Sequence, residues 1–182
     1  MILLQMRWWL DHMDIYVSSL QAAPILVADH APASIVSFID PKQKPPRFRG
    51  YKEHNHLILQ LNDVSESKTG LTPPGREHMM MLIDFLLRHD WQHNILIHCL
   101  MGVSRSTAAA YIMLNLHYEG RELEIAQYLR AKIPHAHPNT KLIEHADAIL
   151  GREGRMIKAI ASLPKGSMDQ VGLPMKLSTD FV

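Results

Sequence analysis

The stretch that decides the fold reads Ile95-Leu96-Ile97-His98-Cys99-Leu100-Met101-Gly102-Val103-Ser104-Arg105-Ser106. It runs on into Thr107-Ala108-Ala109-Ala110-Tyr111-Ile112-Met113-Leu114. Residues 95–97 are a short, wholly apolar run, the pattern of a strand buried on both faces. Residues 104–118 are apolar nearly all round, the pattern of a helix in the middle of a domain, and Gly120 supplies its end. A buried strand, a tight loop and a buried helix in that order place the loop beyond the carboxyl end of the strand. Open α/β sheets hold their ligands there.

The loop has the makings of an anion cradle. A helix N-terminus offers unpaired amides and the positive end of a dipole. Gly102 lets the backbone curl so that successive N–H groups point inward. Arg105 adds a planar fork that matches two phosphate oxygens. Leu100, Met101, Gly102, Val103, Ser104 and Arg105 are therefore the expected phosphate-binding residues. The same field favours a thiolate over a thiol, so Cys99 is the candidate nucleophile beneath the phosphorus. The Ser106 hydroxyl can donate to that thiolate and stabilise it as a leaving group. His98 orients the loop through a ring hydrogen bond or simply packs; the sequence leaves both readings open.

Upstream, residues 15–18, 34–39 and 57–61 read as strands. Residues 21–29 are ambiguous, because Pro24 interrupts a helical pattern. Residues 41–52 hold three prolines, Gly50 and five basic residues, and read as a solvated, mobile loop. Thr72 and Pro73 read as the N-cap and first residue of a helix with the apolar stripe Met79, Leu82, Ile83, Leu86 and Leu87. Downstream, helices are expected over 122–132, 140–150 and 155–163, with Pro134 and Pro138 in a connection. A crossover helix between the strands at 57–61 and 95–97 makes those strands parallel and neighbours or near-neighbours. The fold class is α/β: one domain with a central, mostly parallel sheet of four or five strands flanked by helices.

Composition bounds the rest. At 182 residues, 47% hydrophobic and 20% charged, the chain suits one globular domain. We divide it into an N-terminal extension, 1–13, a domain, 14–164, and a loosely held tail, 165–182. A formal net charge of +1 gives no global argument for nucleic acid or membrane. Cys99 is the single cysteine, so an intramolecular disulfide is excluded. No apolar run reaches the ~18 residues that a membrane span needs. Residues 1–13 are apolar but broken by Arg7 and Asp11, a poor signal peptide. A membrane-surface helix around Trp8 and Trp9 competes with a packed or frayed terminus. The cytoplasm is the default location.

The run His98-Cys99 to Arg105-Ser106 resembles the His-Cys-x5-Arg-Ser/Thr signature of the protein tyrosine phosphatase superfamily. Gly102 and Ser104-Arg105-Ser106 are most similar to the dual-specificity branch and its compact bacterial relatives. The resemblance spans roughly residues 14–163. It implies hydrolysis of phosphotyrosine, with phosphoserine and phosphothreonine as further substrates, on a phosphorylated protein or peptide and without a metal or cofactor. It includes no long tyrosine-binding loop and no tryptophan-proline-aspartate element like those of the larger tyrosine-specific enzymes.

The leaving oxygen needs a proton, so a carboxylic acid should face the loop. Asp63 lies two residues past Leu61, at the carboxyl end of a strand parallel to the one that ends at Cys99. Asn62-Asp63 also resembles the Asn-Asp of some dual-specificity phosphatases. The bland reading is a turn residue. Asp40, which also ends a strand, is the runner-up acid and Glu66 the third. Asp84 and Asp90 read as caps or solvated groups of the crossover helix. His54 with His56, and His135 with His137, lack a third ligand and read as surface residues rather than a zinc site. Arg47, Arg49 and Lys52 read as a solvated basic loop. The absence of lysine from the cradle weighs against highly charged phosphoinositides. Two other functions fit such a loop: persulfide transfer, and a module that holds a phosphorylated partner without turnover.

Overall fold

The computed structural model describes residues 13–66, 68–167 and 172–180. Its elements are β1 (Asp14–Ser19), α1 (Ala23–His30), β2 (Ser34–Ile39), β3 (His56–Gln60), α2 (Arg76–Arg88), β4 (Ile95–Cys99), α3 (Arg105–His117), α4 (Glu122–Lys132), α5 (Thr140–Ile149), α6 (Arg155–Ala161) and β5 (Met175–Ser178). The sheet order is β3-β2-β4-β1-β5. The pairs β1·β4, β2·β4 and β2·β3 are parallel, and β5 runs antiparallel to β1. The strands expected at 57–61 and 95–97 are thus near-neighbours, with β2 between them.

Period-two alternation sorts the strand side chains onto two faces. Ile15, Val17, Val36, Phe38, Ile95, Ile97 and Cys99 join the larger core, which they share with α2 to α6. Tyr16, Ile35 and Leu96 face α1, with Phe48 and Tyr51 packed over them. Every α3 residue from Arg105 to Asn115 is buried, the apolar run over 108–114 together with the polar Arg105, Ser106, Thr107 and Asn115.

Several expectations need correction. Pro24 opens α1 rather than breaking it, because a proline costs nothing in the first turn, where its N–H would be unpaired anyway. Helix α2 starts at Arg76, not Pro73, with Gly75 as its N-cap. Pro74 forces Pro73 out of the helical region, and the Thr72 amide instead donates to Asn62 Oδ1 at 2.8 Å. Phe85 is buried where Leu87 was expected, and Leu87 is 61% exposed. The loop over 41–52 is tethered: Tyr51 Oη donates to Pro32 O at 2.5 Å, and the Lys52 amide donates to Asn55 Oδ1 at 2.8 Å. The tail read as loosely held contributes β5, whose Leu177 is fully buried. Of the extension 1–13, only Met13 lies within the described residues. It is buried, and its amide donates to Thr179 Oγ1 at 3.1 Å. No helix among the described residues is long and apolar enough to cross a membrane.

Candidate active site

Four parallel strands bring four carboxyl ends to one edge of the sheet. Ser19, Asp40, the 61–63 segment and Cys99 therefore converge there. The Gly102 amide donates to Cys99 Sγ at 3.3 Å, and Ser106 Oγ lies 3.2 Å from the same sulfur. Gly102 has φ +74°, and a Cβ there would lie 2.8 Å from the Ser18 carbonyl carbon. Only glycine permits this curl against β1.

Three loop carbonyls are engaged by neighbouring segments: Leu100 O accepts from the Leu20 amide at 3.3 Å, Val103 O from the His137 amide at 2.8 Å, and Ser104 O from the Ala108 amide at 3.0 Å. The amides of Met101, Val103 and Ser104 donate to no acceptor among the described residues. Engaged carbonyls and free amides in one tight loop are what an oxyanion needs.

Arg105 is 2% exposed. Its Nη1 donates to Asp40 Oδ1 and to Leu61 O, each at 2.7 Å. Its Nε is buried without a hydrogen-bond partner. One arm of the fork is thus pinned, while the Nε edge makes no hydrogen bond and meets only a long ionic contact to Asp63 Oδ2. Asp40 is the ionic anchor of Arg105, which gives the runner-up acid another task.

Asp63 stands over the other side of the cleft. Its Oδ1 accepts from Ser104 Oγ at 2.7 Å and Asn139 Nδ2 at 2.8 Å. Its Oδ2 is 3.7 Å from Arg105 Nε, and its side chain is 35% exposed. Asn139 serves two elements, since its Oδ1 also accepts from the Leu142 amide as the N-cap of α5. Asp40, Asp63, Leu71, Cys99 and Arg105 all line one open cavity of about 390 Å³. Glu66 is exposed and lines none of it.

Beneath the cradle, His98 Nε2 lies 2.6 Å from Ser37 Oγ, which lies 2.7 Å from His56 Nε2. Register Ser37↔His98 across β2 and β4 produces the first contact. Burial, then the neighbouring His56, pushes the His98 imidazole down to about 4. Burial also lowers His56. The Ser37 hydroxyl has one proton, so both Nε2 atoms cannot accept from it and at least one donates to it. The tautomers of the two histidines are therefore coupled.

The structure thus brings together Cys99, the 100–105 loop, Ser106, Asp63 and His98. Sequence reasoning missed Asn139, Ser37 and the anchoring task of Asp40. Asn139 did carry a signal, since an asparagine directly before a predicted helix is an N-cap candidate. His56 and His135, read as surface residues, are buried at 8% and 1% exposure. Asp84 pairs with Arg88 and Asp90 with His93 at the surface.

No protein-family model matches the chain, and no curated protein matches it in sequence. The likeness lies in structure: the chain shares its fold with solved dual-specificity phosphatases. DUSP15 is 17% identical, with 84% of this chain and 94% of DUSP15 aligned at a TM-score of 0.57. The Yvh1 phosphatase domain from Chaetomium thermophilum is 20% identical, with 78% and 93% aligned at a TM-score of 0.56. The human tyrosine phosphatase-like serine/threonine/tyrosine-interacting protein is 14% identical, with 76% and 92% aligned at a TM-score of 0.52.

Proposed function

We propose that this chain is a cysteine-dependent phosphatase acting on phosphotyrosine in proteins or peptides, with phosphoserine and phosphothreonine as further substrates. The observation that carries this reading is the buried Nε of Arg105, which makes no hydrogen bond and lies 3.7 Å from Asp63 Oδ2, set beside free loop amides and the Cys99 sulfur. A buried donor without a partner costs about 1–3 kcal/mol, and a bound phosphate oxygen relieves that cost.

In the first step the Cys99 thiolate attacks phosphorus, forming an S–P bond as the P–O bond to the leaving group breaks. The loop amides and Arg105 hold the equatorial oxygens, and Asp63 gives its proton to the leaving oxygen. In the second step Asp63 takes a proton from water. The water oxygen attacks phosphorus, the S–P bond breaks, and phosphate leaves with the thiolate restored. Ser106 stabilises that thiolate. Asp40 keeps the guanidinium in place, and His98 supports the loop from below.

Apolar surface at the mouth favours an aromatic leaving group: Leu71, Leu100 and Met101 are 40%, 44% and 50% exposed. The test is turnover of a chromogenic aryl phosphate in the presence of a chelator, with Cys99→Ser as control. The expected result is turnover by the native chain and less than a few per cent of it in the variant, which still binds vanadate. Vanadate binding without turnover in the native chain would instead assign a phosphate-binding module. Sulfur transfer from thiosulfate to cyanide would assign persulfide chemistry.

A further inference from the structure

We infer that the loop between β2 and β3 is a docking strip for an acidic stretch of the phosphoprotein substrate, beside the phosphorylated residue. This rests on the phosphatase reading above, and the test separates the two.

The loop carries Lys42, Lys44, Arg47, Arg49 and Lys52 and no acidic residue. All five are exposed, and none forms an ion pair among the described residues. The whole chain has a net charge of only +1, so these unpaired cations form a local patch on a nearly neutral protein. The acid at the loop's entry, Asp40, is committed to Arg105. Glu53 lies just past its end.

The backbone that presents the cations is held in place. The Gln43 amide donates to Asp40 O at 2.9 Å, and the Asp40 amide donates to Gln43 Oε1 at 3.2 Å. Phe48 tucks its ring 5.4 Å from His56 and 6.0 Å from His98. The far end is fixed by Tyr51 and Asn55. A strip ordered before binding loses less entropy when a partner docks.

Topology gives the strip its direction. Strand β2 ends at the active-site edge, and the parallel β3 begins at the opposite edge. The loop must therefore travel the length of a strand, roughly 20 Å for about six residues. A second cavity, of about 180 Å³, shares Asp40, Asn62 and Leu71 with the active-site cavity and is walled by Lys42 and Gln43. An extended peptide leaving the site over Leu71 meets Lys42, and the loop carries the other four cations from there toward the opposite edge of the sheet. A phosphorylated protein segment with flanking carboxylates carries both the phosphate and the complementary charge on one chain.

The test compares phosphotyrosyl peptides that carry glutamate or glutamine over about six residues on either side of the phosphotyrosine. Binding is read by fluorescence anisotropy with Cys99→Ser, and kcat/KM with the native chain. On one side the acidic peptide should be preferred about tenfold at low salt, from several exposed pairs of modest strength. The preference should fall below about twofold in about 0.5 M salt. The combined variant Lys42→Gln, Lys44→Gln and Arg47→Gln should lose the preference. An equal preference in that variant, or no preference on either side, would overturn the inference. So would loop-dependent binding to anionic lipid vesicles without a peptide preference. If the native chain fails to turn over any aryl phosphate, the catalytic reading falls, and the anisotropy series still decides the strip.

Discussion

Two aspartates flank Arg105, and replacing each with asparagine should have opposite consequences. Asp63→Asn removes a proton donor but keeps an oxygen that accepts from Ser104 Oγ and Asn139 Nδ2. The ionic contact it loses is long, 3.7 Å, and its side chain is 35% exposed. Such pairs contribute about 0.2–1 kcal/mol, so the melting temperature should fall by no more than about 4 °C. Turnover should fall ~10²–10⁴-fold, the range for one general acid, or about 3–5 kcal/mol of barrier. The loss should be largest with phenyl phosphate and shrink with p-nitrophenyl phosphate, whose leaving group needs no proton. The basic limb of the pH–rate profile should flatten. Asp40→Asn keeps an oxygen that accepts but removes the negative charge 2.7 Å from a guanidinium that is 2% exposed. Breaking a buried pair costs about 3–5 kcal/mol. Here Asp40 is 33% exposed and Leu61 O remains bonded, so about 1–3 kcal/mol is expected. Its loss of turnover should be the same for both substrates. Thermal melts and paired kinetics on the two variants check this. If Asp40→Asn shows the leaving-group dependence and Asp63→Asn does not, the roles assigned here are wrong.

Arg105→Lys keeps the charge but should cost ~10²–10³ in turnover, because a lysine cannot hold Asp40 and Leu61 O while offering a second edge to phosphate; near-normal kinetics would refute the clamp. Gly102→Ala places a Cβ 2.8 Å from backbone at φ +74°, so vanadate affinity and turnover should each fall by about 10² as the cradle shifts, read by titration and by initial rates. His98 is neutral in the fold, at about 4, against about 6.5 when unfolded. The unfolded chain therefore binds more protons as pH falls below 6.5, and stability drops toward pH 4. Between pH 7 and pH 5 this group alone should remove about 2 kcal/mol. Urea unfolding of His98→Asn should show a correspondingly smaller acid dependence, and an unchanged slope would show that His98 titrates normally.

The cradle was legible in the sequence because its chemistry is local. The segment from His98 to Ser106 carries its strand, its glycine turn and its helix start in consecutive residues, and such signals do not depend on distant contacts. Asp63 was legible for a related reason: parallel strands send their carboxyl ends to one edge, so strand order alone puts it near Cys99. The start of α2 was misplaced because Thr72 and Pro73 look like a cap, while the tie from Thr72 to Asn62 comes from another segment. The tail hid β5, because four residues carry too little pattern to show a strand until the open edge of β1 supplies its partner. Asn139 reaches Asp63 across 76 positions and Arg105 reaches Asp40 across 65. Contacts at that range depend on how helices and strands pack, which local propensity does not encode. The sequence by itself therefore determined the strand–loop–helix segment around Cys99 and the class of fold. Only the tertiary structure decided which carboxylate holds the arginine at 2.7 Å and which stands over the cleft at 3.7 Å from it, because both sit at strand ends and differ only in what the folded chain places beside them.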